Sequence, residues 1–168
     1  NLAITLFDDG NFKLESQDHQ DIIKEIGLAV RMAPDFKEAK AFQHYILARK
    51  LDHTNRREAV EEYKKAIDAC GDIATFHNNL AFAYHMIGDY ENAEPAYLEA
   101  INVDSEYMLA YSNLAWLCFD TKKYEEGVVW GEKAVELINP TMLISYQSNA
   151  YNNYAINLNK CGRKEEAI

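Results

Sequence analysis

The sequence predicts an all-α fold of antiparallel helix hairpins stacked into a superhelix, and three observations lead to that prediction. Similar segments recur at an interval of 34 residues, which is the length of one helical hairpin repeat. Within them, apolar and small residues recur at i, i+3, i+4 and i+7, the period of an α-helix. The 168 residues include only three prolines and seven glycines, too few for an all-β protein with many turns.

Small residues recur at the 34-residue interval along the middle of the chain. The equivalent positions are Ala59, Ala93 and Gly127, then Ala66, Ala100 and Ala134, and upstream Leu80-Ala81 and Leu114-Ala115. The pattern returns as Tyr154-Ala155 and Glu166-Ala167 after a longer interval of 40 residues. A hairpin cannot bury its apolar face alone, so the repeat predicts that each hairpin stacks on its neighbours.

The period and the residue types resemble the tetratricopeptide repeat. The signature places of that family are occupied by Leu80-Ala81, Tyr84, Gly88-Asp89-Tyr90, Ala93, Tyr97 and Ala100, and again by Leu114-Ala115, Tyr124 and Ala134. His77 and Tyr111 stand where a Trp is common, and Gly131 replaces the usual large residue of the second helix. The resemblance implies a right-handed superhelix with a concave groove lined by the first helix of each pair.

The repeat organises the chain in order. Residues 1–39 are expected to form a degenerate N-terminal repeat with Lys13–Gln20 as a loop insertion, and residues 40–168 an array of three full repeats plus a truncated fourth. The first helix near Phe36–Leu51 is predicted to be about one turn longer than standard. The last first helix is predicted to run from about Thr141 to Lys160 with six extra positions. Because the helical pattern continues to the last residue, we expect a piece of a longer protein.

Composition and charge narrow the class of partner. The formal net charge is −10, and an acidic surface repels phosphate backbones and anionic lipid headgroups. From Ala74 to Tyr107 there are six acidic residues and no Lys or Arg. No apolar run approaches the ~18–20 residues that span a bilayer. The sequence therefore predicts neither a nucleic-acid partner nor a membrane partner.

The cysteines and histidines offer no catalytic or metal-binding pattern. Cys70, Cys118 and Cys161 lie more than 40 positions apart, which is neither a disulfide framework nor a zinc spacing. Such usage favours a reducing, cytoplasmic setting. His77 is interpreted as a packing residue, Cys118 as part of the core, and there is no Gly-rich phosphate loop. We expect no enzymatic activity, no cofactor and no bound metal.

The repeat register predicts which side chains face the groove. They are Thr75, Asn78, Asn79, Phe82, His85 and Met86 in one first helix, Leu109, Ser112, Asn113, Trp116, Phe119 and Asp120 in the next, and Asn149, Asn152, Asn153, Ile156, Asn159 and Lys160 in the last. In the first repeat the register is ambiguous by one residue, so Tyr45, Ala48 and Arg49 are candidates only.

Asn79, Asn113 and Asn153 occupy equivalent positions, although Asn is a poor residue for a helix interior. An amide can pair with both groups of a peptide backbone unit, and the row resembles the ladder with which some family members hold an extended peptide. The alternative is a row of solvated polar residues. Phe82 and Trp116 are either anchors for partner side chains or part of the groove floor.

These features favour a module that binds a protein or peptide, held in extended form along the groove by the Asn ladder and aromatic pockets. The alternative is a self-associating structural array in which exposed terminal helices form a homo-oligomer. Members of the family that clamp the carboxylate tails of heat-shock chaperones use Lys and Arg in the groove. The matching positions here read Asn, Phe, Leu, Ser, Asn and Asn, and only Asn79 and Asn113 are partial matches. This composition disfavours that clamp.

Overall fold

The computed structural model describes residues 36–166, and these residues form seven α-helices, a 3₁₀ turn and connecting turns, with no strand among them. The elements are α1 (Lys37–Leu51), α2 (Arg56–Ala69), α3 (Ala74–Met86), α4 (Tyr90–Val103), α5 (Met108–Asp120), α6 (Tyr124–Glu136), α7 (Ile144–Lys160) and the 3₁₀ turn Lys164–Glu166. The prediction of an all-α fold of helix pairs is confirmed.

The chain divides into two compact units, Asn1–Gly71 and Asp72–Ile168. In the described part of the first unit, α1 packs along α2. The second unit contains α3 to α7. The degenerate repeat predicted for residues 1–39 lies outside the described residues except for its last four positions, and the predicted insertion Lys13–Gln20 lies wholly outside them.

The helices of the second unit form two layers. The first helices α3, α5 and α7 contact one another in sequence order, and each second helix packs against its own first helix and against the next one. The layers meet at two clusters of buried side chains. One contains Ala81, Ala93, Tyr97, Leu114 and Leu117, and the other contains Met108, Tyr111, Ala134 and Ala150. Burying a side chain the size of Leu stabilises the fold by about 1.5–3 kcal/mol, so these clusters hold the layers together.

The same turn recurs between the helices of each hairpin in the second unit. Gly88, Lys122 and Gly162 have positive φ angles of 79°, 63° and 79°, in the left-handed region that ends many helices. Their spacing repeats the intervals of 34 and 40 residues. Asp89 then begins α4 by accepting a hydrogen bond from the Asn92 N–H at 3.3 Å, as an N-cap residue does.

Two glycines let α7 approach α6 closely. A Cβ on Gly131 would lie 2.8 Å from the Cα atom of Tyr154, and a Cβ on Gly127 would lie 2.3 Å from the Asn157 Oδ1 atom. Both distances are shorter than a carbon atom tolerates. The departure from the repeat at Gly131 therefore has a packing cause, because the backbone of α7 occupies the space of the usual large side chain.

Two helix boundaries differ from the prediction. The last first helix begins at Ile144, three residues after the predicted start, because Asn139 accepts hydrogen bonds from the Thr141 N–H and hydroxyl at 3.0 Å and holds a turn there. The first helix α1 has 15 residues against 13 for α3. It is therefore longer by two residues rather than by a full turn.

Candidate functional site

The first-helix face is defined here as the side of α3, α5 and α7 that carries the predicted groove positions of the second unit. A row of amide and hydroxyl groups crosses it. Asn113 Nδ2 donates to Asn78 Oδ1 at 3.0 Å, and Asn78 Nδ2 donates to Asn79 Oδ1 at 3.4 Å. Asn153 Nδ2 donates to the carbonyl and hydroxyl oxygens of Ser112 at 3.0 and 3.1 Å. This amide row joins the three helices and uses part of its own hydrogen-bonding capacity to do so.

The three residues of the predicted ladder are not equally accessible. Asn153 is only 9% exposed and is tied to Ser112, whereas Asn79 and Asn113 are half-buried. An Asn amide has two N–H groups and a carbonyl oxygen with two lone pairs, so the bond of Asn113 to Asn78 leaves capacity for another molecule. The ladder stays a prediction, and its accessible members are Asn79 and Asn113.

An apolar row runs beside the amide row. Phe82, Trp116 and Ile156 hold equivalent positions on α3, α5 and α7, and all three are half-buried. The rings of Phe82 and Trp116 are tilted against each other with their centroids 6.2 Å apart. Met86 and Phe119, one turn further along, are also half-buried. Phe82 packs against the buried cluster, so it contributes both to the floor and to the surface of this face.

His85 and Asp120 form a pair behind the apolar row. The His85 Nε2 atom lies 2.9 Å from Asp120 Oδ2, and the His85 side chain is 1% exposed. A carboxylate only accepts hydrogen bonds, so Nε2 carries the proton and donates it. The imidazole lies 4.7 Å from the Trp116 ring and 5.6 Å from that of Tyr90, between centroids. His85 was predicted to touch a partner at the groove edge. The contact stays a prediction, and in this structure the ring is buried and supports Trp116.

The end of α7 repeats the geometry of this pair. Lys160 Nζ lies 5.8 Å from the centroid of the Phe119 ring, and these two residues hold the same repeat positions as Asp120 and His85. Since the amide bonds between α5 and α7 also match those between α3 and α5, the 40-residue interval leaves the register of the first helices unchanged.

The rest of α7 separates into exposed and buried amides. Asn149, Asn152 and Asn159 are exposed. Asn157, which the sequence analysis did not single out, is fully buried, and its Nδ2 donates to the carbonyls of Ala115 and Asn153 at 2.9 and 2.8 Å. The one signal in the sequence was glycine instead of alanine at the repeat position that Asn157 covers.

The candidates from the first repeat belong to the core of their own unit. Tyr45 and Ala48 are buried, and the Arg49 guanidinium donates to the Tyr45 hydroxyl at 3.1 Å. The ambiguity of register at α1 is thus resolved against Tyr45 and Ala48 as groove-lining side chains.

Cys118 and His77 are packed in the interior. Cys118 is buried, and burial raises the pKa of its thiol to about 12, so the nucleophilic thiolate is suppressed. His77 is buried, as expected of a packing residue.

Among residues 36–166, no three His, Cys, Asp or Glu side chains converge as metal ligands. Within the same span, no helix has the length and apolarity to cross a bilayer.

Comparison with known proteins identifies the repeat. A family model described as "Tetratricopeptide repeat" matches residues 49–107 and 87–139, which together are more than half of the chain. Small glutamine-rich tetratricopeptide repeat-containing protein 2 of Mycosarcoma maydis is 32% identical over 79 residues, 47% of this chain and 22% of that protein. The chain therefore spans about a fifth of the length of that relative.

Several solved structures share the fold. BtubC (BKLC) from P. vanneervenii has a TM-score of 0.74 at 20% identity, over 90% of this chain and 68% of that one. MamA has a TM-score of 0.65 at 20% identity, over 98% and 85%. The first TPR of Spaghetti (RPAP3), bound to the HSP90 peptide SRMEEVD, has a TM-score of 0.66 at 24% identity, over 74% and 95%. At these identities the likeness shows the fold.

Proposed function

Because the chain belongs to the tetratricopeptide repeat family, we propose that its second unit is a scaffold module that binds a segment of another protein along the first-helix face. The observation that carries this proposal is the pairing of two rows on one face. A row of half-buried apolar side chains offers anchoring contacts, and the amide row beside it offers hydrogen bonds. No catalytic role is proposed. The proposed setting is the cytoplasm, since three free cysteines suit a reducing compartment.

The apolar row supplies the affinity in this proposal. Aromatic residues with exposed surface that are held rigidly by their neighbours are typical of binding hot spots. Trp116 meets that description, because it contacts the rings of Phe82 and His85, and His85 is itself fixed by Asp120. A partner side chain that packs on Trp116 therefore orders few protein groups on binding, which keeps the entropic cost low.

The amide row holds the backbone of the bound segment. Packed helices lie ~8–10 Å apart, and an extended peptide rises ~3.3 Å per residue. Asn79 on α3 and Asn113 on α5 can then contact the peptide at about every third residue. Contacts of this kind are indifferent to peptide sequence, so selectivity comes from the apolar row and from the exposed α7 residues Asn149 and Asn152.

The solved structures support peptide binding in this fold, but they do not identify the peptide that this chain would bind. The RPAP3 domains were solved with HSP90 and HSP70 peptides that end in EEVD. Neither α3 nor α5 contains Lys or Arg to pair with such carboxylates. We therefore extend to this chain the binding of a peptide, and neither the identity of those peptides nor their carboxylate contacts.

The ladder is tested with matched Asn variants and peptides selected on the protein from a random display library. Asn79→Ala combined with Asn113→Ala should weaken binding by ~0.5–1.5 kcal/mol per lost hydrogen bond, measured by fluorescence anisotropy. Asn102→Ala, at an exposed position on α4, is the control and should bind as wild type does. Equal affinity of the double variant and the control would contradict the role of the Asn ladder. Failure to select any peptide would contradict the proposed binding function itself.

A further inference from the structure

Charge is distributed unevenly between the two layers of the second unit. Residues 72–168 contain fourteen acidic and six basic residues, a formal net charge of −8 out of −10 for the whole chain. On the three first helices α3, α5 and α7, only Asp120 and Lys160 are acidic or basic. Every other acidic or basic residue of residues 72–166 lies on the second helices or in the turns. The first-helix face is thus nearly free of charge within a strongly acidic unit.

The two charges on this face lie at its edge, because Asp120 is the last residue of α5 and Lys160 the last residue of α7. Asp120 accepts the hydrogen bond from His85, and Lys160 lies over the Phe119 ring. A partner that placed carboxylates against Phe82, Trp116 or Ile156 would have to desolvate them next to apolar side chains. Removing a carboxylate from water without a cationic partner is strongly unfavourable.

The acidic layer acts at longer range on the flanks of a bound segment. Its residues include Glu91, Glu94 and Glu99 on α4 and Glu125, Glu126 and Glu132 on α6. A net charge of this sign attracts cationic segments and repels anionic ones during approach, and it raises or lowers the association rate accordingly.

We propose that the segment bound on the first-helix face has apolar or aromatic contact residues flanked by Lys or Arg. This inference rests on the proposed function and adds the chemistry of the partner. Uncharged side chains match the row of Phe82, Trp116 and Ile156, and basic flanks match the acidic unit around it. Acidic tails of the EEVD kind are excluded by the same two features.

The first experiment selects peptides from a random display library of 12-residue segments on the wild-type protein. Recovered peptides that combine an apolar centre with basic flanks support the inference. Recovered acidic peptides overturn it and leave the proposed function standing, whereas the absence of any selected peptide overturns the proposed function as well. Binding of a synthetic selected peptide should weaken as salt rises from low to high concentration, since screening removes the long-range attraction.

The second experiment places the peptide by charge variants at two exposed asparagines. Asn159 lies on the first-helix face at the end of α7, and Asn102 lies on α4. Asn159→Lys should weaken binding about three- to tenfold and Asn159→Glu should strengthen it, while the same two changes at Asn102 should alter it less than about twofold. Both pairs alter the net charge equally. Equal effects at the two positions, or tighter binding by Asn159→Lys, would overturn the inference.

Discussion

At Gly127 the repeat loses the methyl group that Ala59 and Ala93 provide at the equivalent positions. The space is taken by Asn157, whose amide is fully buried and bonded to two backbone carbonyls of α5 and α7. The Asn157 Oδ1 atom has no hydrogen-bond partner among the described residues, and it points toward the glycine. A single missing methyl therefore allows a polar side chain to lock α7 into place.

Gly127→Ala is expected to destabilise the protein by about 1–3 kcal/mol, the usual cost of overpacking. The new Cβ would lie 2.3–2.8 Å from the amide atoms of Asn157, which cannot move without breaking its bonds. Chemical denaturation measures the effect. Gly71→Ala is the matched control, because its nearest contact is an ordinary 3.5 Å to the Ile67 carbonyl, and it should be neutral or slightly stabilising. Equal stabilities of the two variants would contradict this packing.

The sequence predicts apolar positions better than polar ones at this scale. Ala81, Ala93 and Ala100 are all fully buried, because small residues in step with the helical period report a helix crossing directly. Whether an Asn side chain is buried depends on a hydrogen-bond partner that lies about 40 residues away, on another helix. Asn153 and Asn157 therefore point inward although their sequence context resembles that of the accessible Asn113.

Helix α4 contains a proline at an exposed interior position, Pro95. Proline lacks the N–H that would bond to the carbonyl of Glu91, and its ring crowds that carbonyl. Pro95→Ala should therefore stabilise the protein, by up to ~3 kcal/mol less the entropy that proline removes from the unfolded chain. Thermal unfolding checks this, with Glu99→Ala on the same helix as a control expected to change stability by less than ~0.5 kcal/mol. A lower midpoint for Pro95→Ala would contradict it.

One carboxylate links α1 with α2 by a hydrogen bond. Glu62 is bonded to Lys65 on its own helix and, at 2.7 Å, to His44 on α1. Burial opposes ionisation, but these hydrogen bonds outweigh it and hold the pKa of Glu62 below its usual range. A lowered folded-state pKa gives stability that is present above the unfolded value of about 4.3 and is lost as the pH falls through the folded value.

Glu62→Gln should therefore cost stability at neutral pH and progressively less at acidic pH. The free energy of unfolding is measured by denaturant titration at a series of pH values for both proteins. Glu61→Gln is the control, since Glu61 is an exposed neighbour whose partner Lys64 is also exposed, and surface pairs contribute little. A difference between Glu62→Gln and wild type that grows as the pH falls below about 4.3 would contradict the role of this carboxylate.

Helix boundaries show where sequence patterns lose information. The period predicts the end of α7 at Lys160, which the structure confirms, because the repeat positions fix it. Its predicted start at about Thr141 is three residues too early. The turn that displaces it depends on the hydrogen bonds of Asn139, and the bonds of one side chain leave no period to detect.

The charge of the whole molecule leads to a prediction about nucleic acids. With a formal net charge of −10, the chain should not bind a random-sequence oligonucleotide at physiological salt, because non-specific binding depends on cations that displace phosphate counterions. Fluorescence anisotropy of a labelled duplex provides the measurement, with a basic protein of similar size as a positive control. Micromolar binding that weakens as salt rises would contradict the prediction.

At the scale of the molecule, the 34-residue interval predicts the order and pairing of the helices, since each repeat encodes the same hairpin. The interval does not predict the division after Gly71. Such a division depends on side-chain packing, which the period does not encode. The first-helix face is predicted by the sequence only in part. Its positions follow from the register, but whether each side chain is accessible depends on bonds between helices.

The connection Leu137–Leu143 and the first turn of α7 absorb the six extra residues of the last interval without moving the register of α7. Insertions of this kind are tolerated where the backbone is exposed and makes few bonds, and Asn139, Pro140 and Thr141 are all exposed. This connection is therefore the natural place to graft a fluorophore or an affinity tag. A reporter attached at the exposed position of Pro140 would keep the bonds between Asn139 and Thr141 and leave Asn113, Trp116 and Ile156 in their native places.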